Sequence, residues 1–364
     1  MISEEKIWQE FLFTQIFEIK KGYYNKKPSS SSTGKIAFLS ATQFNNGVSE
    51  FYTTSEIENA SKTGDNLNNH SLNYKIFKGN CIAVTNNGSV GYAFYQKNAF
   101  TCSHDINPLY LKDKDLNPFL AKFLIATIEK QRVCFEYARK WRPSRMVKSK
   151  ILLPINAQNK PDYEFMEQYM HHKEQEKIEK YQIFVQKRLN DLKKTPKTIS
   201  IDEKEWGEFF IQDIAEILSG KDIYAKERIE GNTPYISATA NYNGIGYFVN
   251  NRNQTLESNC LSVNRNGSVG YSFYHPYKAL FGNDCRKLRL KESDKYTGIF
   301  VSQQITKQKG KYGYGYKMGT ARLKRQKIML PINENNEPDY VFMKNYMKNL
   351  EYKKLNEYLE FKKK

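Results

Sequence analysis

The decapeptides NNGSVGYAFY (residues 86–95) and RNGSVGYSFY (residues 265–274) decide the fold, because one chain contains nearly the same sequence twice. Asn87 and Asn266, which open the shared NGSVGY segment, lie 179 positions apart. An apolar run precedes each Asn-Gly pair, which predicts two strands joined by a tight turn whose central residues both have positive φ. The second glycine of each copy, inside the second predicted strand, indicates a bulge or a close backbone approach.

The repeat extends over almost the whole chain. Residues 8–22 (WQEFLFTQIFEIKKG) and 206–220 (WGEFFIQDIAEILSG) share the pattern W-x-E-F-x4-I-x-E-I-x2-G. LLPINAQNKPDYEFMEQYM (152–170) matches MLPINENNEPDYVFMKNYM (329–347). The offset falls from 198 at the tryptophan to 177 at the proline of these patterns, so the first copy has loops about 21 residues longer in sum. Common landmarks with loops of different length are typical of one fold used twice.

A long charged stretch without Gly or Pro follows each copy. Residues 162–193 and 339–364 carry apolar side chains at three-, four- and seven-residue spacing, which predicts amphipathic helices about 40–48 Å long. Neither helix can bury its stripe alone, so we expect the two to pair as an antiparallel coiled coil. The predicted coil or subunit interface comprises Phe165, Met166, Tyr169, Ile178, Tyr181, Val185, Leu192, Phe342, Met343, Tyr346, Met347 and Leu350.

The expected fold class is α+β, with two tandem domains of similar fold that are each followed by a long helix. Residues 116–131 predict a further helix in the first domain, capped by Asn117. The predicted boundaries are 1–160 for the first domain, 161–197 for the first long helix and linker, 198–337 for the second domain, and 338–364 for the second long helix.

The charge of the chain favours a polyanionic partner. Its 57 Lys and Arg against 39 Asp and Glu give a net charge of +18, which is typical of nucleic-acid binding. Aromatic residues, 14% of the chain, often lie close to Lys or Arg, as on surfaces that contact phosphates and bases. No membrane span, signal peptide or CxxC pair is present, so we expect a cytoplasmic protein without a membrane partner.

Two enzyme interpretations fail on spacing. A PD…(D/E)xK nuclease would need Asp162 and Asp191 on one metal, but one predicted helix separates them by roughly 43 Å. The Pro-Asp pair is better interpreted as a helix start. An amino-methyltransferase would need an Asn/Asp-Pro-Pro-aromatic loop; Asn117–Phe119 is truncated, and GYGYK (313–317) has no helix behind it. We therefore predict no catalytic residue, no metal site and no cofactor in this chain.

Basic, aromatic loops precede both long helices: RKWRPSR (139–145) and, in the second copy, KYGYGYKMGTAR (311–322) with LKRQK after it. At the 177 offset, Arg145 matches Arg322. The functional interpretation is a DNA-facing loop in which Lys and Arg neutralise phosphates and an arginine forks onto guanine. The alternative is a solvated charged turn.

Asparagines after each Ser-Ala-Thr either pair with adenine or only form turns. The NGSVG hairpins either contact phosphate through their backbone or only shape the domain. The predicted DNA-binding residues are Asn45, Asn46, Asn87, Ser89, Arg139, Lys140, Arg142, Arg145, Asn241, Asn243, Arg265, Asn266, Ser268, Lys311, Tyr314, Tyr316, Lys317, Arg322 and Lys324.

The duplicated order of W-x-E-F…G, NGSVG and L-P-I-N…P-D-Y-x-F-M resembles the specificity subunits of bacterial type I restriction–modification systems. The last of these motifs also resembles the specificity subunits of type IIB (BcgI-like) systems, so the subtype stays open. The resemblance implies a non-catalytic chain in which each target-recognition domain reads one half of a split DNA target. It implies that the coil fixes the gap between the halves, with half-site centres on the order of one helical turn, near 10 bp, apart. It also implies separate methyltransferase subunits, two per complex, that supply S-adenosylmethionine and methylate adenine, and a restriction or translocase subunit.

Two rival interpretations come from other classes. A stand-alone DNA-binding regulator with pseudo-twofold symmetry would also be basic and duplicated. A tandem carbohydrate-binding protein would explain the Tyr and Asn-Gly content, but not the net charge or the two charged helices. One departure from the family pattern is the shorter second helix, which ends in three lysines and makes the coil incomplete without partner subunits.

Overall fold

The computed structural model describes residues 6–31, 33–67, 69–135, 139–313 and 315–363. The chain divides into two compact units, one up to Lys180 and one from Tyr181 onward. The division falls inside the first long helix. Mixed strands and helices in each unit confirm the α+β class.

The described part of the first unit contains three sheets. The first strand pairs with the last, a four-stranded sheet has the order β2-β8-β5-β6, and a three-stranded sheet has the order β4-β3-β7. All pairings are antiparallel except β3 with β7. The strands are β1 (Trp8–Leu12), β2 (Phe17–Ile19), β3 (Ile36–Leu39), β4 (Val48–Tyr52), β5 (Cys81–Thr85), β6 (Ala93–Gln96), β7 (Phe100–Cys102), β8 (Ile106–Leu111) and β9 (Lys150–Pro154).

The described part of the second unit repeats these sheets strand for strand, in the orders β10-β18, β11-β17-β14-β15 and β13-β12-β16. Again only β12 with β16 is parallel. The strands are β10 (Trp206–Phe210), β11 (Ala215–Ser219), β12 (Glu230–Ile236), β13 (Ile245–Val249), β14 (Cys260–Asn264), β15 (Ser272–His275), β16 (Leu280–Phe281), β17 (Cys285–Leu290) and β18 (Lys327–Pro331).

The helices also correspond between the units. The first unit holds α1 (Phe13–Ile16), α2 (Thr54–Asn59), α3 (Leu72–Lys75), α4 (Pro118–Glu129), α5 (Pro143–Met146) and the start of α6 (Tyr163–Leu192). The second holds α7 (Ile211–Ile214), α8 (Lys295–Thr306), α9 (Thr320–Lys324) and α10 (Tyr340–Lys363). The extra helices α2 and α3 lie in the longer loops of the first unit. Short 3₁₀ turns are Asn45–Gly47, Lys130–Cys134, Ala225–Glu227, Tyr242–Gly244 and Lys307–Lys311.

The two repeated end motifs are strand partners. Trp8 pairs with Pro154 in the first unit, and Trp206 pairs with Pro331 in the second. The start and the end of each domain are therefore joined by one antiparallel ladder immediately before its long helix.

The predicted helix α4 and its cap are confirmed. The Asn117 side chain accepts hydrogen bonds from the backbone N–H groups of Phe119 and Leu120, both at 3.0 Å. The residues at helical spacing are buried in the core of the first unit, among them Leu120, Leu124 and Ile128. An N-cap side chain and an apolar stripe are sufficient to specify this helix.

The prediction of a tight two-residue Asn-Gly turn is wrong. The last paired residues of the first hairpin are Val84 and Ala93, so a longer hairpin loop, residues 86–92, joins the strands. Positive φ occurs at Gly88 and Gly91 rather than at the asparagine. In place of a two-residue turn, Gly91 N–H donates to the Thr85 carbonyl at 2.8 Å. The second glycine precedes the strand instead of interrupting it.

Each long helix begins at its Pro-Asp pair, as the sequence predicts. Asp162 Oδ1 accepts from Phe165 N–H at 3.0 Å, and Asp339 Oδ1 accepts from Phe342 N–H at 2.8 Å. In each unit, a lysine upstream of the first strand forms an ion pair with the capping aspartate. Lys6 pairs with Asp162 at 2.9 Å, and Lys204 pairs with Asp339 at 2.8 Å. These carboxylates hold helix starts and are satisfied there.

The first turns of each long helix pack on the preceding domain, which corrects part of the predicted coil. Met166 and Met343 are fully buried in the cores of the first and second units, respectively. Tyr169 packs against the first core, and Tyr346 and Met347 against the second. The Phe165 and Phe342 rings lie beside the lysines that pair with the capping aspartates, Lys6 and Lys204 respectively. The early turns of each long helix pack on the preceding helix of their own domain, as Tyr169 does on Phe123 and Tyr346 on Phe300, which leaves only later turns for a helix partner.

Antiparallel pairing of the two long helices is present within the second unit. Tyr181 of α6 contacts Tyr358 of α10 at 4.9 Å between ring centroids, and Arg188 Nε donates to Glu351 Oε1 at 2.8 Å. Later residues of α6 pair with earlier residues of α10, as in an antiparallel pair. On α6, Val185 and Leu192 are buried and Ile178, in the first unit, is half-buried, whereas Leu350 of α10 stays exposed.

Candidate nucleic-acid interface

The basic loop, residues 139–145 in the first unit and 311–322 in the second, surrounds a buried apolar anchor in each case. Trp141 is fully buried, packs on Phe13 and Phe135, and donates from Nε1 to Ser149 Oγ at 2.9 Å. The equivalent position holds Met318, which is also fully buried. The anchors fix the backbone, so the flanking cations stay at the surface.

An arginine braces the same point of both basic loops. Arg145 Nη1 donates to the Lys140 carbonyl at 2.7 Å, and Arg322 Nη1 donates to the Lys317 carbonyl at 2.8 Å. The matching predicted from the 177 offset therefore corresponds to one local geometry. Each brace occupies one nitrogen of a guanidinium that carries five N–H donors.

The second basic loop is more aromatic than the first. Arg322 lies 4.0 Å from the Tyr316 ring centroid, and that ring stacks on Tyr312 at 5.6 Å. Lys311 and Lys324 are exposed at its two ends, as Arg139 is in the first loop, where it lies 5.8 Å from the Phe135 ring. Tyr314, also predicted to bind DNA, lies outside the described residues.

A carboxylate links three segments of the first unit. Asp105 lies in the aspartate turn, residues 103–105, between β7 and β8. Its Oδ1 accepts from Asn87 Nδ2 of the hairpin loop at 3.0 Å and lies 3.7 Å from Arg142 Nη1 of the basic loop. His104 Nε2 is 3.3 Å from the same oxygen. Hairpin loop, aspartate turn and basic loop thus form one surface.

The second unit builds the same junction with other side chains. In its aspartate turn, residues 282–284, Asp284 Oδ1 accepts from Asn266 Nδ2 at 3.2 Å and lies 3.7 Å from Arg265 Nη2. The basic loop is held by Arg286, whose Nε donates to Thr320 Oγ1 at 2.6 Å. Burial and the nearby charge of Arg265 lower the pKa of Arg286, so positive charge is concentrated here.

The asparagines after Ser-Ala-Thr form turns. Asn45, Asn46 and Asn243 have φ of 51°, 54° and 55°, a left-handed conformation that asparagine tolerates. Asn46 Nδ2 donates to the Tyr95 carbonyl, and Asn243 Nδ2 to the Tyr274 carbonyl, both at 3.1 Å. The Asn241 carbonyl accepts from Gly244 N–H. These amides hold the turn against the hairpin, which favours the structural interpretation for them.

The serines of the hairpin loops also have structural contacts. The Ser89 carbonyl accepts from the Thr85 hydroxyl, and Ser268 N–H donates to the Ala238 carbonyl at 3.0 Å. The Ser-Ala-Thr segment therefore packs directly beneath the hairpin loop.

Sequence reasoning missed one cation–aromatic pair in each unit. The Arg132 guanidinium lies 3.6 Å from the Tyr92 ring centroid, and Lys309 Nζ lies 4.3 Å from that of Tyr271. Both cations lie in the 3₁₀ turn that follows α4 in the first unit and α8 in the second. The signal was available, because Arg132 and Lys309 are themselves 177 residues apart, the offset of the basic loops.

The described residues of the two basic loops carry exposed positive charge. Among the described residues, no three His, Cys, Asp or Glu side chains cluster as metal ligands. None of the helices in the described part of the chain is both long and apolar enough to span a membrane. Cys81 and Cys260 are fully buried, and burial raises the pKa of each thiol to about 12. The arrangement can bind a polyanion.

Comparison with known proteins identifies the family. The profile of the type I restriction modification DNA specificity domain matches residues 5–182 and again residues 203–360. The chain belongs to this family. It is a non-catalytic DNA-specificity subunit with two recognition domains in tandem, and its partners are DNA and a methyltransferase. The match gives no support to a stand-alone regulator.

Individual proteins similar to this chain include one curated relative and two solved structures. S.BcgI, the specificity subunit of a type II restriction enzyme of Heyndrickxia coagulans, is 32% identical over 281 residues, covering 77% of this chain and 80% of that subunit. The S subunit of a type I system from M. genitalium is 18% identical, with a TM-score of 0.46 and coverage of 99% and 93%. HsdS from Thermoanaerobacter tengcongensis is 10% identical, with a TM-score of 0.31 and coverage of 96% and 91%.

Proposed function

We propose that each domain of this specificity subunit reads one half of a bipartite DNA target. The DNA-facing surface of each unit consists of its hairpin loop, aspartate turn and basic loop. The observation that carries the proposal is the repeated junction of hairpin loop, aspartate turn and basic loop. Asp105 contacts both loops in the first unit, whereas in the second unit Asp284 contacts the hairpin loop and Arg286 holds the basic loop. Similar frames with different exposed side chains suit two different half-sites.

The DNA contacts divide into two kinds. Exposed cations at the loop ends, such as Arg139, Lys311 and Lys324, suit phosphates, whose contacts position a protein without reading sequence. Arginines held within the junction suit base edges, because a guanidinium can donate two parallel hydrogen bonds to guanine. The asparagine amides that hold turns contribute to the shape of the surface.

The long helices have a spacing and docking role in this proposal. The antiparallel pair between α6 and α10 sets the gap between half-sites, and two methyltransferase subunits dock on it. These partners supply S-adenosylmethionine and methylate adenine. S.BcgI is the specificity subunit of a type II restriction enzyme. We infer that this chain also works in a complex that cleaves DNA, and that a partner chain, such as a restriction or translocase subunit, carries out the cleavage. The complex works on DNA in the cytoplasm.

Salt dependence of DNA binding tests the surface. In the complex with its methyltransferase, Arg139→Ala should reduce the slope of log affinity against log salt by about one, since one phosphate contact is lost. The matched control is Lys150→Ala, because this exposed lysine is paired with Glu10 at 2.7 Å on the adjacent ladder. Equal slopes for both variants and the unmodified chain would contradict the assigned surface.

A further inference from the structure

A carboxylate lies at the centre of each basic surface. Asp105 and Asp284 occupy equivalent positions, 179 residues apart, and a negative charge beside DNA phosphates is electrostatically unfavourable. Both accept a hydrogen bond from the asparagine of the Asn-Gly pair, at 3.0 and 3.2 Å. Because the asparagine and the turn fix the carboxylate on both sides, it can orient a third group.

That third group is an arginine in both units, but it comes from different segments. In the first unit Arg142 of the basic loop lies 3.7 Å from the carboxylate, and position 86 of the hairpin loop is asparagine. In the second unit Arg265, at the position equivalent to 86, lies 3.7 Å from the carboxylate, and position 319, equivalent to 142, is glycine. The arginine has changed segments while the carboxylate has stayed in place.

The distance leaves the arginine able to bind. At 3.7 Å the ion pair is longer than a hydrogen bond, so the aspartate attracts the guanidinium without occupying its N–H groups. Arg265 Nε is buried, but the side chain as a whole is 32% exposed, so its Nη groups are the donors that a base edge can reach. A guanidinium with a fixed position and free donors is suited to bidentate recognition of a planar acceptor pair, which lysine cannot reproduce.

We propose that Asp105 and Asp284 are positioning residues that aim Arg142 and Arg265 at base edges. Moving the arginine between the basic loop and the hairpin loop lets one frame read a different base position in each half-site. The ligand class is guanine, through its O6 and N7 acceptors in the major groove. This inference rests on the proposed function of the two surfaces.

The test uses the full chain in complex with its methyltransferase and a library of half-site variants. Arg142→Lys should reduce discrimination at one base position of one half-site by roughly tenfold or more, and Arg265→Lys should do so in the other half. Asp105→Asn and Asp284→Asn should relax the same positions as the respective lysine variants. Binding to unrelated DNA should stay within about threefold, because the number of phosphate contacts does not change.

A rescue variant separates positioning from general structure. Asn86→Arg in an Arg142→Ala background places an arginine at the position equivalent to Arg265. Asn86 is buried and its Nδ2 donates to the His104 carbonyl and to Asn107 Oδ1, so this variant is scored only when thermal melting shows that it is folded, and the lysine variants decide the matter when it is not. We expect selectivity to return at the first half-site, at a changed base or position. Equal loss of specific and non-specific binding in the lysine variants would overturn the inference, as would unchanged base preferences or a double variant with no regained selectivity.

Failure of the two proposals can be told apart. If the unmodified complex shows no half-site preference in either domain, the proposed function fails. If half-sites exist but neither lysine variant alters them, only the positioning inference fails. Thermal melting of each variant shows whether it is folded, and the two conservative lysine substitutions in separate units decide the matter if an aspartate variant does not fold.

Discussion

The guanidinium of Arg132 lies 3.6 Å from the ring centroid of Tyr92, and the backbone leading to that ring has positive φ at Gly91. A Cβ at Gly91 would lie 2.5 Å from Arg132 Cγ. The second unit repeats this with Lys309 over Tyr271 beside Gly270. The repeated GSVGY is therefore explained by packing: the glycine lets a 3₁₀ turn approach, and the tyrosine receives its cation.

Replacing Gly270 by alanine should destabilise the second unit. Its φ is +83°, and a Cβ there would lie 2.8 Å from both Cα and Cβ of Lys309. We expect a loss of about 1–3 kcal/mol in the free energy of unfolding, measured by urea denaturation. The matched control is Gly310→Ala, since nothing lies within 4 Å of a Cβ at that glycine. Equal stability of the two variants would contradict the packing explanation.

The ion pair between Arg188 and Glu351 should couple the two long helices. Two hydrogen bonds join the side chains, at 2.8 and 3.2 Å, and both side chains are less than one quarter exposed. A double-mutant cycle on their alanine variants should give a coupling of about 1–3 kcal/mol. The same cycle on Lys354 and Glu357, an exposed pair on α10, should show none beyond error.

The contribution of Glu351 should depend on pH. Burial raises its pKa, but hydrogen bonds from Arg188 and Tyr296 and the charge of Lys295 outweigh burial, so the pKa falls below its usual 4.5. Because the folded pKa is depressed, the stabilisation is present above about pH 4.5 and is lost as pH falls through the folded value. The free energies of unfolding of the unmodified chain and of Glu351→Gln should be measured in urea from pH 7 to pH 3. Their difference should shrink only below about pH 4.5.

His275 should stay neutral well into the acidic range. Burial lowers its pKa from 6.5 to about 4, and its Nε2 lies 2.9 Å from Ser262 Oγ. The unfolded chain takes up a proton near pH 6.5, so the second unit should lose stability as pH falls from 6.5 to 4. NMR titration of the imidazole should show no midpoint above pH 5, and His275→Gln should remove this part of the pH dependence. A midpoint near 6.5 would contradict the buried setting.

The architecture was predictable from the chain because duplication repeats every structural landmark. The helix caps at Asn117 and Asp162 and the buried stripe of α4 follow local rules of capping and periodicity. The strand pairing of the two end motifs joins segments far apart in the sequence and was not predicted. The tight turn was wrong because Asn-Gly is a local signal, whereas Gly91 and its contact with Arg132 depend on a segment about 40 residues further along the sequence.

Other features of the fold depend on tertiary contacts that local sequence patterns do not show. Met166 and Met343 were predicted to lie in the coil, because an apolar stripe on a helix does not show which surface will cover it. In the structure, the cores of their own domains cover them. Lys75 is a lysine that no local pattern marks as buried: it is fully buried and its Nζ donates to the carbonyls of Ile57, Glu58 and Ala60. In the candidate site, the basic loops were visible in the sequence, but the contacts of Asp105, Asp284 and Arg286 at the junctions were not.

Genome-wide mapping of methylated bases tests the division of labour between the two domains most directly. Three strains would carry the methyltransferase: one with this chain, one without it, and one in which residues 198–337 are exchanged for the second domain of another specificity subunit. We expect a split motif that disappears without the chain and changes in one half only after the exchange. Identical methylation in all three strains, or a change in both halves after the exchange, would contradict one domain reading one half-site.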